Sequence, residues 1–308
     1  MQLQCPILFL IFNRPDTTNV VFEEIRKQRP RLLFIAADGP RPTHVDDNVR
    51  CAQARSILDR IDWPCTVHTL FRDQNLGCGS AVSESVTWFF AHVEEGIVLE
   101  DDCVPDPTFF DFCAAMLDRY RDNPKIMMIA GTSYLFNTVQ SRESYFFSRY
   151  YPVWGWATWR RAWQLYDFDL REWAECRPTH MLKKVFNNKK IVNFWTQYFD
   201  RIVRKDLDTW DIQWTYACIK HQALCVVPFN NLISNIGYFG LHATGEKSFD
   251  HGIELRPLDC ISMVHSETVN ISAHLDLFIY KKIGVVTHYG LLRRIRSLSS
   301  AVKARLMP

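Results

Sequence analysis

Ten cysteines are scattered through the chain without a C-x-x-C pair and without zinc-type spacing, so buried free thiols in a reducing compartment are the economical reading. Long apolar runs are missing as well. No stretch approaches the roughly 18 apolar residues of a membrane span. The apolar run Pro6 to Phe12 has no basic residue ahead of it and is too short for a signal peptide's core and cleavage site. A cytosolic protein is expected. Charge of one sign is lacking too: the net charge is +2, so no overall field points to nucleic acid. Neither G-x-x-x-x-G-K-[ST] nor G-x-G-x-x-G occurs, which removes the P-loop and the dinucleotide fingerprint. Asn270-Ile271-Ser272 fits the glycosylation pattern but carries little weight without a secretory signal.

Core-forming residues are abundant. Of 308 residues, 47% are hydrophobic and 14% aromatic, which favours a folded α/β or similar domain over disorder. The stretch Ile97-Val98-Leu99 runs out of Gly96 directly into Glu100-Asp101-Asp102. A short continuous apolar run reads as a strand buried on both faces. Acids at its C-terminal end fall where open α/β sheets place their ligand crevice. Three adjacent carboxylates repel one another, and a hard divalent cation, Mg²⁺ or Mn²⁺, offsets that repulsion. A metal–diphosphate site is the hypothesis. The plainer alternative is a solvated acidic turn ahead of a helix capped by Asp106 and started by Pro107.

Strand and helix patterns alternate ahead of this stretch. Strands are predicted at Cys5 to Phe12, Leu32 to Ala37 and Cys65 to Phe71, with helices following each, from Asp16 onward, from Val45 to Ile61 and from about Ser80 to His92. That spacing implies βαβ units, a mostly parallel sheet and right-handed crossovers. The loops after the four strands then share one sheet edge. Arg14 could meet a phosphate there, Asp38 could accept a hydrogen bond from a base or ribose, and the Asn75–Ser80 loop with Gly77 and Gly79 could present backbone N–H groups to an anion.

Downstream, an amphipathic helix is predicted over Asp106 to Arg121, a strand over Lys125 to Ala130, a basic helical region over Glu172 to Lys205, a helix from Asp208 to about His221 and a strand over Leu224 to Pro228. Between residues 144 and 163 aromatic rings crowd together, Trp154 and Trp156 among them. Such clusters are mostly core, though one or two rings could stack on a sugar in an acceptor groove. Asp211, beside Trp210 and Trp214, is either a helix cap or a general base. The Gly237–Gly245 loop with His242 has the composition of an active-site lid. The stretch from Leu291 through Arg305 reads as a basic amphipathic helix that could lie on an anionic membrane.

Together, Glu100-Asp101-Asp102-Cys103-Val104-Pro105-Asp106-Pro107 with Phe109-Phe110, the segment Tyr151-Pro152-Val153-Trp154-Gly155-Trp156, Trp210-Asp211 and Gly240-Leu241-His242 resemble, in order and spacing, the inverting GT-A glycosyltransferases of the N-acetylglucosaminyltransferase I type and their bacterial sugar-transferase relatives. The similarity runs over roughly residues 3 to 245. It implies a GT-A, Rossmann-like fold with a transferase domain over 1–245 (donor half about 1–105, acceptor half about 106–245) and a C-terminal helical extension over 246–308. It implies Asp102 as direct metal ligand of this DXD-type motif, His242 as a further metal or diphosphate contact, and a Mn²⁺ or Mg²⁺ cofactor. Glu100 and Asp101 would face the ribose and diphosphate, Arg14 the phosphates, and Asp38 a uracil. Asn75 and Gly79 are carried with the donor loop, and Trp154, Trp156 and Trp210 with the acceptor. Asp211 falls at the catalytic base, with Ile212 where that family's pattern has a second acid.

The implied activity is transfer from a UDP-linked sugar, UDP-GlcNAc among the candidates, to a hydroxyl of a glycan or lipid-linked glycan in bacterial surface polysaccharide synthesis. The enzyme would be cytoplasmic, touching the inner membrane through its tail. Two alternatives stay open: a nucleotidyltransferase that makes the sugar nucleotide, and a non-catalytic glycan-binding protein on the same scaffold. The first would show a glycine-rich loop with Arg and Lys after the first strand, which Phe12-Asn13-Arg14-Pro15 lacks.

Overall fold

The computed structural model describes residues 2–135, 138–139, 141–177, 181–237 and 254–282. His242, Gly240 and the basic tail from Leu291 lie outside them. The first part of the chain builds four parallel strands, β1 (Ile7–Ile11), β2 (Leu32–Ala37), β3 (Thr66–Phe71) and β4 (Glu95–Glu100). They are joined by α1 (Pro15–Gln28), by α2 (Asp47–Arg55) with a 3₁₀ turn at Ser56–Arg60, and by α3 (Gly77–His92).

Burial of both faces explains the unbroken apolar runs. In β1, Leu8 and Leu10 join the core beneath α3, while Ile7, Phe9 and Ile11 join the core beneath α1. The period of two in a strand sends alternate side chains to opposite layers. Helices therefore cover both faces of the sheet, and every residue of β1 is buried. Burying each Leu or Ile stabilises by about 1.5–3 kcal/mol relative to exposure, an upper estimate on an extended-chain reference.

The chain then turns through the short β5 (Cys103–Pro105) into α4 (Pro107–Tyr120). Asp106 caps α4, its carboxylate accepting from Thr108 N at 2.9 Å, with Pro107 at the first helical position. β6 (Ile126–Ala130) follows. The aromatic-rich segment forms two strands that the sequence reading leaves unassigned, β7 (Tyr145–Ser148) and β8 (Trp156–Trp159). After α5 (Arg160–Trp163), the predicted basic helical region divides into α6 (Trp173–Cys176), α7 (Met181–Val185) and α8 (Lys189–Val203). Then come α9 (Asp211–Lys220), β9 (Leu224–Pro228) and β10 (Ile233–Asn235).

The main sheet has eight strands in the order β3-β2-β1-β4-β8-β6-β9-β7. β8 runs antiparallel between β4 and β6, β9 is parallel to β6, and β7 is antiparallel to β9. The fold is α/β, parallel in its first half and mixed in its second. β10 pairs antiparallel with β5 in a separate small ladder. The last helix of the described residues, 273–282, docks on this body: Asp276 accepts from Ser148 Oγ at 2.7 Å and from Arg149 Nε at 2.8 Å.

Candidate active site at the C-terminal edge of the parallel strands

The parallel registers align Leu10 with Glu100, Ile11 with Ala37, and Ala37 with Phe71. The residues that follow these strands therefore meet on one edge. Arg14, two residues beyond Phe12, reaches across to the acids after β4. Its Nη1 donates to Asp102 Oδ2 at 2.7 Å and its Nη2 to Asp101 Oδ1. The second oxygen of Asp101 accepts from Phe12 N at 3.3 Å. Asp101 and Asp102 are buried, and Arg14 keeps about a quarter of its side chain exposed.

Electrostatics follow from that crowding. Burial, and then the charge of Asp102, push the Glu100 carboxyl up to about 8. Burial raises Asp101 to about 6 against the pull of Arg14. Burial weakens the Arg14 guanidinium, but Asp101 and Asp102 outweigh it and hold the group above its ordinary range. Among the described residues Arg14 thus serves as counter-ion to the carboxylates, with about a quarter of its side chain open to solvent.

Asp38 and Asn75 have their polar atoms engaged within the protein. Asp38 Oδ2 accepts from Asn75 Nδ2 at 2.8 Å and from Gly77 N at 3.2 Å, and Oδ1 accepts from Gly39 N and Leu76 N. Asn75 Nδ2 also donates to Gly39 O. Both side chains lace the end of β2 to the loop before α3, and a base approaching Asp38 has to replace one of these bonds. Gly79 likewise has its N–H taken, by Asp208.

The acceptor side is reached through α9. Asp211 is its first residue and accepts from Thr209 Oγ1. Cys78 shows how near this helix lies to the acids. Its thiol is raised by burial, then by Glu100, Asp211 and Asp208, and lowered by Arg14, so all four charged groups lie within electrostatic range of one side chain. Glu100 itself feels Asp211. The fold therefore brings Arg14 onto the acids that end β4, and the charge of Asp211 on α9 adds to the upward push on Glu100.

Two of the three tryptophans assigned to the acceptor are core residues. Trp156 is 0% exposed in β8 and stacks on Trp210, itself 3% exposed, at 5.4 Å and 22°. Their rings fill the layer between β8 and α9, which leaves no face for a sugar. Trp154 is half-buried, edge-on to Tyr134.

The loop that the sequence reading marks as an active-site lid starts at Gly237, and the described residues at its start lie against the acids. After β10 the Ile236 N–H donates to Asp102 O at 2.8 Å. A Cβ at Gly237 would overlap Asp102 Oδ2 and come within 3.1 Å of Arg14 Nη1. The signal was an Asn-Ile-Gly run after a short apolar strand, but nothing local shows what that glycine approaches. Cys78 and Asp208 are missed for the same reason.

For a divalent cation, the donor chemistry fits in kind: hard carboxylate oxygens, with Asp102 the acid whose second oxygen, among the described residues, meets only the Cys103 thiol, at 3.5 Å. Among the described residues no group of three or more His, Cys, Asp or Glu is arranged to hold a metal. Asp102 and Glu100 would have to be completed by ligands from outside that set.

The chain matches no family model and no curated protein. Solved structures similar to it include the inositol-1-phosphate CTP transferase from T. maritima (9% identity, TM-score 0.40, 77% of this chain and 91% of that one) and mouse xyloside xylosyltransferase 1 (11%, 0.33, 70% and 81%). HddC from Yersinia pseudotuberculosis is similar at 12% identity and a TM-score of 0.28 over 41% of this chain, which spans 57% of the length of HddC. At these scores the activity has to be argued from the chain's own site. Among the described residues no helix is long and apolar enough to cross a membrane.

Proposed function

We propose that this chain is a metal-dependent inverting glycosyltransferase that moves a sugar from a nucleotide-diphosphate donor, UDP-linked, to a glycan hydroxyl. One observation carries the reading: Arg14 is seated on Asp101 and Asp102 at the C-terminal end of β4. The resemblance of the ordered motifs to that glycosyltransferase group supports it.

Each residue has a task in one displacement. Arg14 binds the donor phosphates and meets the negative charge that grows on them as the sugar–oxygen bond breaks. Asp211 takes the proton of the acceptor hydroxyl as its oxygen attacks the anomeric carbon from the opposite face. The bonding pair leaves with the diphosphate, and the configuration inverts. Asp102, with Glu100 beside it, would hold Mn²⁺ or Mg²⁺, His242 being the further contact that the resemblance supplies. When bound, such a cation would supply Lewis-acid stabilisation of the leaving diphosphate. Trp154 is the ring that keeps exposed surface for an acceptor sugar.

The test is quenching of tryptophan fluorescence by a panel of nucleotides and UDP-sugars, with and without Mn²⁺, in the wild type and in Asp102→Ala. Metal-dependent quenching by one UDP-sugar, lost in the variant, is the expected result. Indifference of both proteins to every nucleotide overturns the reading.

A further inference from the structure

Asp208 is an exposed carboxylate that belongs to the α9 side of the molecule yet caps a helix of the other half. Its Oδ2 accepts from Cys78 N at 3.0 Å and its Oδ1 from Gly79 N at 2.7 Å, in the first turn of α3. A negative charge at a helix start is favourable, since the first N–H groups there have no partner within the helix. The fit depends on glycine at two positions. Gly77 has φ +81°, and a Cβ on it would lie 2.7 Å from Asp208 Oδ2. A Cβ on Gly79 would lie 2.8 Å from Asp208 Oδ1 and 2.9 Å from Thr209 O. The backbone of 208–209 lies directly against the start of α3.

The other end of this segment is fastened to α9. Thr209 Oγ1 donates to Asp211 Oδ1, and Gln213 Nε2 donates to Thr209 O at 2.7 Å. Tyr166 OH donates to the intervening Trp210 O at 3.1 Å. From α3 to Asp211 there is an unbroken set of contacts: helix start, Asp208, Thr209, Asp211. The groups around Asp211 are Thr209 on its own segment, Cys78 from α3, Glu100 from β4 and Tyr166 from the loop after α5.

We propose that Asp208 is a positioning residue, whose clamp on the α3 start sets Asp211 opposite the Glu100–Asp102 end of β4. The inference rests on the proposed function, in which Asp211 takes the acceptor proton. It gives the glycine loop a role other than phosphate binding: its anion is supplied by the protein itself.

The experiment uses the full chain with Mn²⁺ and three donors, UDP-glucose, UDP-galactose and UDP-N-acetylglucosamine, following UDP release to water with whichever the wild type turns over fastest. Asp208→Ala, Asp208→Asn, Asp211→Asn and the double variant Asp208→Ala/Asp211→Asn are compared, with UDP affinity and melting temperature measured for each. The expected result is a drop in kcat of up to about 10²-fold in Asp208→Ala, the scale of a small misplacement of a reacting group, with KM for the donor and UDP affinity unchanged. Asp208→Asn, which keeps an acceptor oxygen, recovers part of the loss. The double variant is no slower than Asp211→Asn alone, because both changes remove one function. Unchanged kcat in Asp208→Ala beside an inactive Asp211→Asn overturns this inference alone. So does a parallel fall of kcat, UDP affinity and melting temperature, which marks a merely structural role. Full activity in Asp211→Asn, or no UDP release from any donor, overturns the base assignment and this inference with it.

Discussion

A Cβ at position 237 would overlap Asp102 Oδ2 and crowd Arg14 Nη1, so Gly237→Ala is expected to prise Arg14 from its carboxylates. Nucleotide affinity should fall by about tenfold or more, equivalent to about 1.4 kcal/mol, while the melting temperature moves little because the segment lies at the surface of the site. Titration calorimetry with UDP checks this. Glu100 gives a second residue-scale expectation. Its carboxyl is pushed up to about 8 by burial and by Asp102, so the folded protein binds a proton that the unfolded chain releases near pH 4.3. The stability this contributes is fully present below that unfolded value and is lost as pH rises through about 8. Melting curves taken in chelator between about pH 5 and pH 9 should show the wild type losing ground to Glu100→Gln. Parallel pH profiles for the two proteins would contradict it.

Among the elements, α4 owes its cap to one acid, Asp106, and another, Asp47 at the first position of α2, ties that helix to the loops before it. Asp47 is 2% exposed and accepts from Arg41 Nε at 2.6 Å, Arg41 Nη2 at 2.9 Å and Asn13 Nδ2 at 2.7 Å. Hydrogen bonds from the Arg41 side chain outweigh burial and hold its carboxyl well below the usual range. Its contribution is therefore present above the unfolded carboxyl's pKa and lost as pH falls through the folded one. Asp47→Ala should lower stability by about 2 kcal/mol at neutral pH, and by less in acid; urea melts at two pH values measure the difference. For α4, Asp106→Ala removes a cap and should cost about 1 kcal/mol, visible in the same assay. Both acids stand just ahead of or inside helical patterns, and the α4 cap could be read from Asp106-Pro107 alone. The bond from Asn13 to Asp47 could not, because Asn13 lies 34 positions away.

At the scale of the molecule, the buried carboxylate of Asp276, paired with half-buried Arg149 and bonded to Ser148 Oγ, joins the helix at 273–282 to the strand β7 side of the sheet. Asp276→Ala leaves both groups without their carboxylate and should destabilise by about 2 kcal/mol. Limited proteolysis should then begin within 254–282. Wild-type resistance in the variant would show that the docking of this region rests on apolar contacts such as Ile279 instead.

The parallel half of the sheet was determined by the sequence itself. Its four strands are apolar runs that end in polar or glycine-bearing loops, and alternation with helices admits few topologies. Position after a parallel strand also put Arg14 and the three acids on one edge. Tertiary structure alone decided the rest. β7 and β8 are buried aromatic segments with no alternation of polar and apolar residues to mark them as strands. The insertion of β8 between β4 and β6 depends on pairing between distant segments. The same holds for the rings of Trp156 and Trp210, which became core once those layers closed, and for Asp208, whose helix start lies 129 and 130 positions away. Local pattern reports which faces of a segment avoid water; which segment covers them is settled only when the whole chain has packed.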